Sequence, residues 1–260
     1  MSAPVPPDPW SRLCALTPAR IALGRTGASL PTREVLAFSL AHARARDAVH
    51  AAFDAEATAR AVEALGLQTL TVESAVPDRH AYLRRPDLGR RLSGASRAAL
   101  SALPRQPCDL AIVVADGLSS TAVHAHAAAL VEALQPAIRA AGWRTAPVVL
   151  ARQARVALGD EVGEILGARL VVVLVGERPG LSSPDSLGAY ITHMPRIGRT
   201  DAERNCVSNI RAEGLRYEAA AFKIAWLARE ALRIGLTGVA LKDDSDLEML
   251  RAAEPAPRLG

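Results

Sequence analysis

Aromatic residues are scarce in this 260-residue chain, only 3% of the total, and lysine is nearly missing: all but Lys223 and Lys242 of its 31 basic residues are arginine. A single-strand nucleic-acid binder needs stacking rings interleaved with basic side chains. The net charge of +4 is spread as arginines among 27 acids, so it does not make such a site. The densest basic cluster, Tyr82-Leu83-Arg84-Arg85 through Arg90-Arg91, is the best place for an anion or partner contact. Cysteine is also rare. Cys14, Cys108 and Cys206 are odd in number and far apart, which excludes a disulfide framework and a CxxC zinc site and points to a reducing compartment. No apolar run approaches the roughly 20 residues of a membrane-spanning helix; the most apolar stretch is Leu170 to Val175. The proline-rich opening, Met1 to Trp10, has no basic segment followed by an apolar one, so no secretory signal is expected and the chain is read as cytoplasmic.

Several motifs are absent too. No GxGxxG follows a strand-like run and no GxxxxGK[ST] occurs, which removes a standard dinucleotide site and an NTPase P-loop. Ser182, Ser183, Asp185 and His193 contain the residue types of a hydrolase triad, but there is no GxSxG elbow to present a nucleophile. His124 and His126 lie about 200° apart around a helix, which argues against joint metal ligation and leaves them partly exposed or capping.

Helical spacing runs through 32–50, and a second helix is expected from the N-cap Asp54 to Leu65, stopped by Gly66. A strand-like 68–73 follows, Pro77, Pro86 and Gly89 break the chain, and 93–103 is again helical. After Pro107 short β-rich runs alternate with helices: 110–114, 121–141, 147–150, 160–166 and 169–175, then a strand at 189–192, an irregular stretch and a helix at 218–234. That alternation predicts βαβ units, and the run from Val171 to Val175 suits a strand buried on both faces of a parallel sheet. The expected architecture is therefore α/β: a mainly helical N-terminal region, 1–106, and a Rossmann-like parallel-sheet domain, 107–260, with a flexible tail after about 242.

Ligands of such sheets bind beyond the carboxyl ends of strands. The run Asp116-Gly117-Leu118-Ser119-Ser120 opens a helix there and offers hydroxyls and free N–H groups to a nucleotide tail; Ser119 or Ser120 acting as an N-cap is the reading that physics alone favours. Gly176-Glu177-Arg178-Pro179-Gly180 permits close backbone approach to a ligand, or forms a surface turn with a weak ion pair. Cys206, in a polar setting after Arg204 and Asn205, reads from sequence alone as a buried, inert thiol.

Five runs in order, IALGRTGASLP (21–31), LAHARARDAVH (40–50), DGLSS (116–120), GERPGL (176–181) and RNCVSNI (204–210), resemble the small (light) subunit of ethanolamine ammonia-lyase. The resemblance spans about Trp10 to Gly238. It implies an adenosylcobalamin-dependent lyase that converts ethanolamine to acetaldehyde and ammonia. This chain would work only in a hetero-oligomer with a large β/α-barrel subunit that binds most of the substrate. Partner contacts would fall in the N-terminal region.

The resemblance also implies cobalamin contacts at Val156 in QARVA (153–157), at Glu177 and at Cys206. Glu177 would accept from corrin amides, Val156 would pack on the ring, and Cys206 would touch without reacting. An Asp-x-His-x-x-Gly run, the signature of a histidine ligand to cobalt, is lacking: Asp78-Arg79-His80-Ala81-Tyr82-Leu83 has no glycine. The expectation is base-on cofactor with no protein ligand to the metal. A microcompartment-addressing N-terminal helix is not evident. The alternative is a Rossmann-like interaction or regulatory module that binds another nucleotide-tailed ligand.

Overall fold

The computed structural model describes residues 9–17, 19–104 and 106–248. Its centre is a six-stranded sheet in the order β1-β3-β2-β4-β5-β6. The strands are β1 (Thr69–Glu73), β2 (Cys108–Ala115), β3 (Val148–Arg152), β4 (Ala168–Gly176), β5 (Leu187–His193) and β6 (Asn205–Ile210). The first four run parallel, as βαβ connections require. β5 is antiparallel to β4, and β6 to β5, so the sheet is mixed where a parallel one was expected. The reason lies in the connections. Between β4 and β5 there is only the turn 177–186, too short for the helix that a parallel crossover needs. β6, within the stretch read as irregular, is a strand that the sequence pattern did not announce.

Two apolar layers form on the sheet because alternate residues point to opposite faces. On one face Ile112, Val114, Val172 and Leu174 pack against α5 (Ser120–Ala140) and α7 (Tyr217–Ile234), with Phe53, Ala55 and Val62 from the α2 region (Ala55–Glu63). On the other face Val113, Ala115, Val171 and Val173 pack against Leu158 and Val162 of α6 (Leu158–Leu166) and Leu100 of α4 (Gly94–Ser101). α6 lies over β2 and β4, whereas β5 and β6 are covered by α7 on the opposite face. On the α6 side, Cys206 and Ser208 of β6 are left exposed.

Helix α1 (Thr32–His50) matches its expected span, but of its residues only Ala48 is buried. Val35, Leu36, Phe38 and Leu40 are exposed, so it forms an arm whose apolar side chains are not packed into this chain's core. Asp54 caps α2 by accepting from Ala57 N–H at 2.8 Å. A short helix, α3 (Arg79–Arg84), occupies the stretch that the prolines were expected to break; Asp78 caps it through Ala81 N–H. β1, from the region read as mainly helical, is the edge strand beside β3. Of the expected tail, 249–260 lies outside the described residues, while Lys223 Nζ and Trp226 Nε1 bind Asp246 and Glu248 at 2.6 Å and hold the chain as far as 248.

Candidate functional site

The parallel strands end on one rim, where the loops are locked together. Leu118 N–H donates to Gly176 O at 2.9 Å. Gly117 and Gly176 allow that approach: a Cβ on Gly117 would lie 2.3 Å from Gly176 O, and one on Gly176 would lie 2.1 Å from Ser119 O. Ser119 is the N-cap of α5, accepting from Ala122 N–H at 3.2 Å and donating to Pro184 O at 2.9 Å. Both Ser119 and Ser120 are fully buried, so the capping explanation of this run describes its serines. Asp116 accepts from Ala154 N–H at 2.9 Å and faces Arg79 at 3.6 Å. Burial holds its carboxyl above the usual range, opposed by that N–H and by Arg79.

Glu177, just past β4, makes no surface pair with its neighbour Arg178. Its Oε2 accepts from Ser186 Oγ at 2.5 Å and from Asn209 N–H at 3.3 Å, and its own N–H donates to Ser186 O. Asn209 adopts a left-handed backbone, φ 58°. The carboxylate lies over Gly188, where a Cβ would come within 2.8 Å of Oε1.

Cys206 is exposed, which corrects the expectation of a buried thiol: it sits on the face of β6 opposite the one that α7 covers. Tyr190 is its register partner on β5. Desolvation by the surrounding protein dominates and raises the thiol pKa; the Tyr190 phenol, donating to the sulfur, draws it down, and Glu177 adds to the rise. Tyr190 is itself held above its ordinary value by burial and by the nearby sulfur and Glu177. Glu177, Tyr190 and Cys206 therefore share one patch. Val156, between β3 and α6, packs on the same apolar layer as Tyr190.

Tyr190 and Gly188 lie in the patch, beside Cys206 and Glu177, and the sequence reading did not single them out. A Tyr-bearing strand residue carries no loop signature, and only the pairing of β5 with β6 brings it to Cys206. The two histidines weighed as metal ligands make internal hydrogen bonds instead. His126 is buried, not partly exposed, with Nδ1 2.8 Å from Tyr217 OH and Nε2 3.6 Å from Asp185. His124 Nε2 accepts from Asp54 N–H at 3.0 Å. Among the described residues no group of three or more His, Cys, Asp or Glu side chains can hold a metal, and no helix is long and apolar enough to cross a membrane.

In this patch Glu177 Oε1 lacks a hydrogen-bond partner among the described residues and can accept from a donor outside the chain, beside the apolar layer on which Tyr190 packs.

A family model described as "Ethanolamine ammonia-lyase light chain (EutC)" matches residues 7–242. The chain is 58% identical to the ethanolamine ammonia-lyase small subunit of Bradyrhizobium diazoefficiens, over 99% of this chain and 97% of that one. It is 56% identical to the protein of the same name from Xanthomonas campestris pv. campestris, over 99% and 98%, and 54% identical to that of Pseudomonas putida, over 99% and 96%. Matches of this extent bear out the resemblance carried by the five runs: the chain belongs to the ethanolamine ammonia-lyase light chain family.

Proposed function

We propose that this chain is the small subunit of an adenosylcobalamin-dependent ethanolamine ammonia-lyase, a cytoplasmic hetero-oligomer with a large subunit that binds ethanolamine. The 107–260 part is read as a Rossmann-like domain whose Val156, Glu177 and Cys206 lie against the lower side of the corrin at the subunit interface. The region up to 106, and the exposed arm α1 above all, contributes partner contacts. One observation carries the site assignment: Glu177, Tyr190 and Cys206 form a single open patch, and Val156 packs on the same apolar layer as Tyr190.

When bound, adenosylcobalamin supplies an organic radical from its cobalt–carbon bond. The work left to this chain is steric and electrostatic. Ser186 Oγ and Asn209 N–H fix one oxygen of Glu177, so the other is oriented to accept from an amide N–H. Val156 and Tyr190 would give the bound ring an apolar surface, and the raised pKa of Cys206 keeps it a neutral thiol, a contact and not a nucleophile. No side chain here is assigned to ligate cobalt.

The test is purification with the large subunit, followed by a visible spectrum and an ammonia-release assay with added adenosylcobalamin and ethanolamine. Corrinoid bands and turnover in the complex, with none from this chain alone, are expected. An inactive complex that takes up no corrinoid overturns the proposal, and turnover by this chain alone overturns the subunit role.

A further inference from the structure

The turn 177–186, which carries Glu177 from β4 toward β5, ends on three consecutive residues that each face a different partner. Pro184 O accepts from Ser119 Oγ at 2.9 Å, Asp185 Oδ2 lies 3.6 Å from His126 Nε2, and Ser186 Oγ donates to Glu177 Oε2. The first two partners stand at the N-cap and in the second turn of α5. Ser186 is bonded to Glu177 through both its hydroxyl and its carbonyl, so where Asp185 is held, Ser186 and the carboxylate follow.

Packing does not explain a histidine at this place. The ring of His126 is buried between α5 and α7 and is satisfied on one side only. Nδ1 lies 2.8 Å from Tyr217 OH, while Nε2 is buried without a hydrogen-bond partner in this chain. A half-satisfied polar ring between two packed helices costs stability where an apolar side chain would add it. The contact with Tyr217 admits two tautomers. If Nδ1–H donated to the phenol oxygen, the lone pair of Nε2 would face a carboxylate. If Tyr217 O–H donates to Nδ1, the proton sits on Nε2 and serves Asp185, which suits both sides of the ring. At 3.6 Å that second contact is electrostatic, longer than a hydrogen bond. Tyr217 begins α7, so the ring sets the turn against two helices at once.

We infer that His126 is a positioning residue for corrin binding: through Asp185 it fixes the place of Ser186, and through Ser186 the direction in which Glu177 presents its free oxygen. The inference rests on the reading of Glu177 as a corrin contact and adds to it two residues, His126 and Asp185, that act through another side chain. Asn209 N–H holds the same carboxylate oxygen at 3.3 Å, so loss of the histidine grip loosens Glu177 without releasing it.

The experiment titrates the corrinoid-free two-subunit complex with cobalamin and follows visible absorbance. The midpoint gives affinity, and the end point counts competent complex. Asp185→Ala, at a partly exposed side chain, and His126→Leu each weaken binding by about tenfold, the worth of one hydrogen bond, at an unchanged end point. His126→Gln, whose amide can still donate toward Asp185, keeps most of the wild-type affinity. Combined with Glu177→Ala, neither variant adds a loss: the double variants bind as Glu177→Ala does. Wild-type affinity in Asp185→Ala, or losses that add in full to that of Glu177→Ala, overturn the positioning role and leave the cofactor reading standing. A lowered end point at wild-type affinity marks a merely structural ring and overturns it as well. If Glu177→Ala alone binds as wild type does, Glu177 is no contact, and its assignment and the positioning role fall together.

Discussion

The carboxylate of Glu177 rests on the bare Cα of Gly188, so closely that a β-carbon there would stand 2.8 Å from Oε1. Gly188→Ala must push the carboxylate aside. Because the displaced atoms are the far end of a flexible side chain, stability should change by less than about 1 kcal/mol, while corrinoid affinity of the two-subunit complex falls. Glu177→Ala should lower that affinity too and leave assembly intact. Absorbance titration and size-exclusion chromatography read the two quantities, and unaltered affinity in both variants counts against Glu177 as a contact.

Cys206 should react slowly with alkylating reagents for an exposed thiol, since desolvation holds its pKa up. Tyr190→Phe removes the O–H that stabilises the thiolate, so the pKa moves further up and alkylation at fixed pH slows. Faster alkylation would show that the phenol shields the sulfur more than it activates it. Cys206→Ser should retain most turnover in the complex.

Arg204 and Asp160 form a buried bidentate pair at 2.5 and 2.6 Å, completed by Thr192 Oγ1 and Arg199 O. Asp160→Ala strands the guanidinium, at a cost of about 3–5 kcal/mol. Replacing both residues with apolar ones, Asp160→Leu with Arg204→Met, should restore much of that loss. Urea denaturation of the three proteins measures it, and a loss in the double variant as large as in the single one would refute the account.

Glu203 accepts from Thr200 N–H at 2.8 Å and Thr200 Oγ1 at 3.0 Å and pairs with Arg199. The Thr200 N–H, with Arg199 and the hydroxyl, lowers its pKa from 4.5 to about 2. A folded-state pKa below the unfolded one means that the contribution is present above pH 4.5 and fades as pH falls from there toward 2. Glu203→Gln should therefore differ most from wild type at neutral pH and converge with it in acid. Stability curves against pH, compared between the two proteins, test this.

What the sequence makes readable follows the periodicity of burial. The five apolar residues from Val171 to Val175 announce a strand covered on both faces, and the structure has β4 there. Asp54 and Ser119 cap helices through their own side chains, a local interaction that needs no tertiary context. β6 is different. Its buried residues Val207 and Ile210 are three apart, because the β5–β6 pairing shifts register between Leu187 and Ala189 and Asn209 turns left-handed. An irregularity of that kind erases the period of two on which strand reading depends. Val156 and Cys206 enter through the family resemblance, and the loops of the chain point only to Glu177 in the patch. Tyr190 and Gly188 reach it through strand pairing, and no spacing in the chain encodes that.

Arg79 joins two parts of the molecule that look independent. Its Nε donates to Val49 O at 2.8 Å near the end of α1, its Nη1 donates to Gly117 O at 2.9 Å, and the guanidinium stacks on Tyr82 at 4.6 Å. One rigid plane thus ties the outstretched arm to the rim. A large subunit that seizes α1 would pull on the same lever that sets the β2 loop, so docking and pocket shape would be adjusted by a single joint instead of by two separate events.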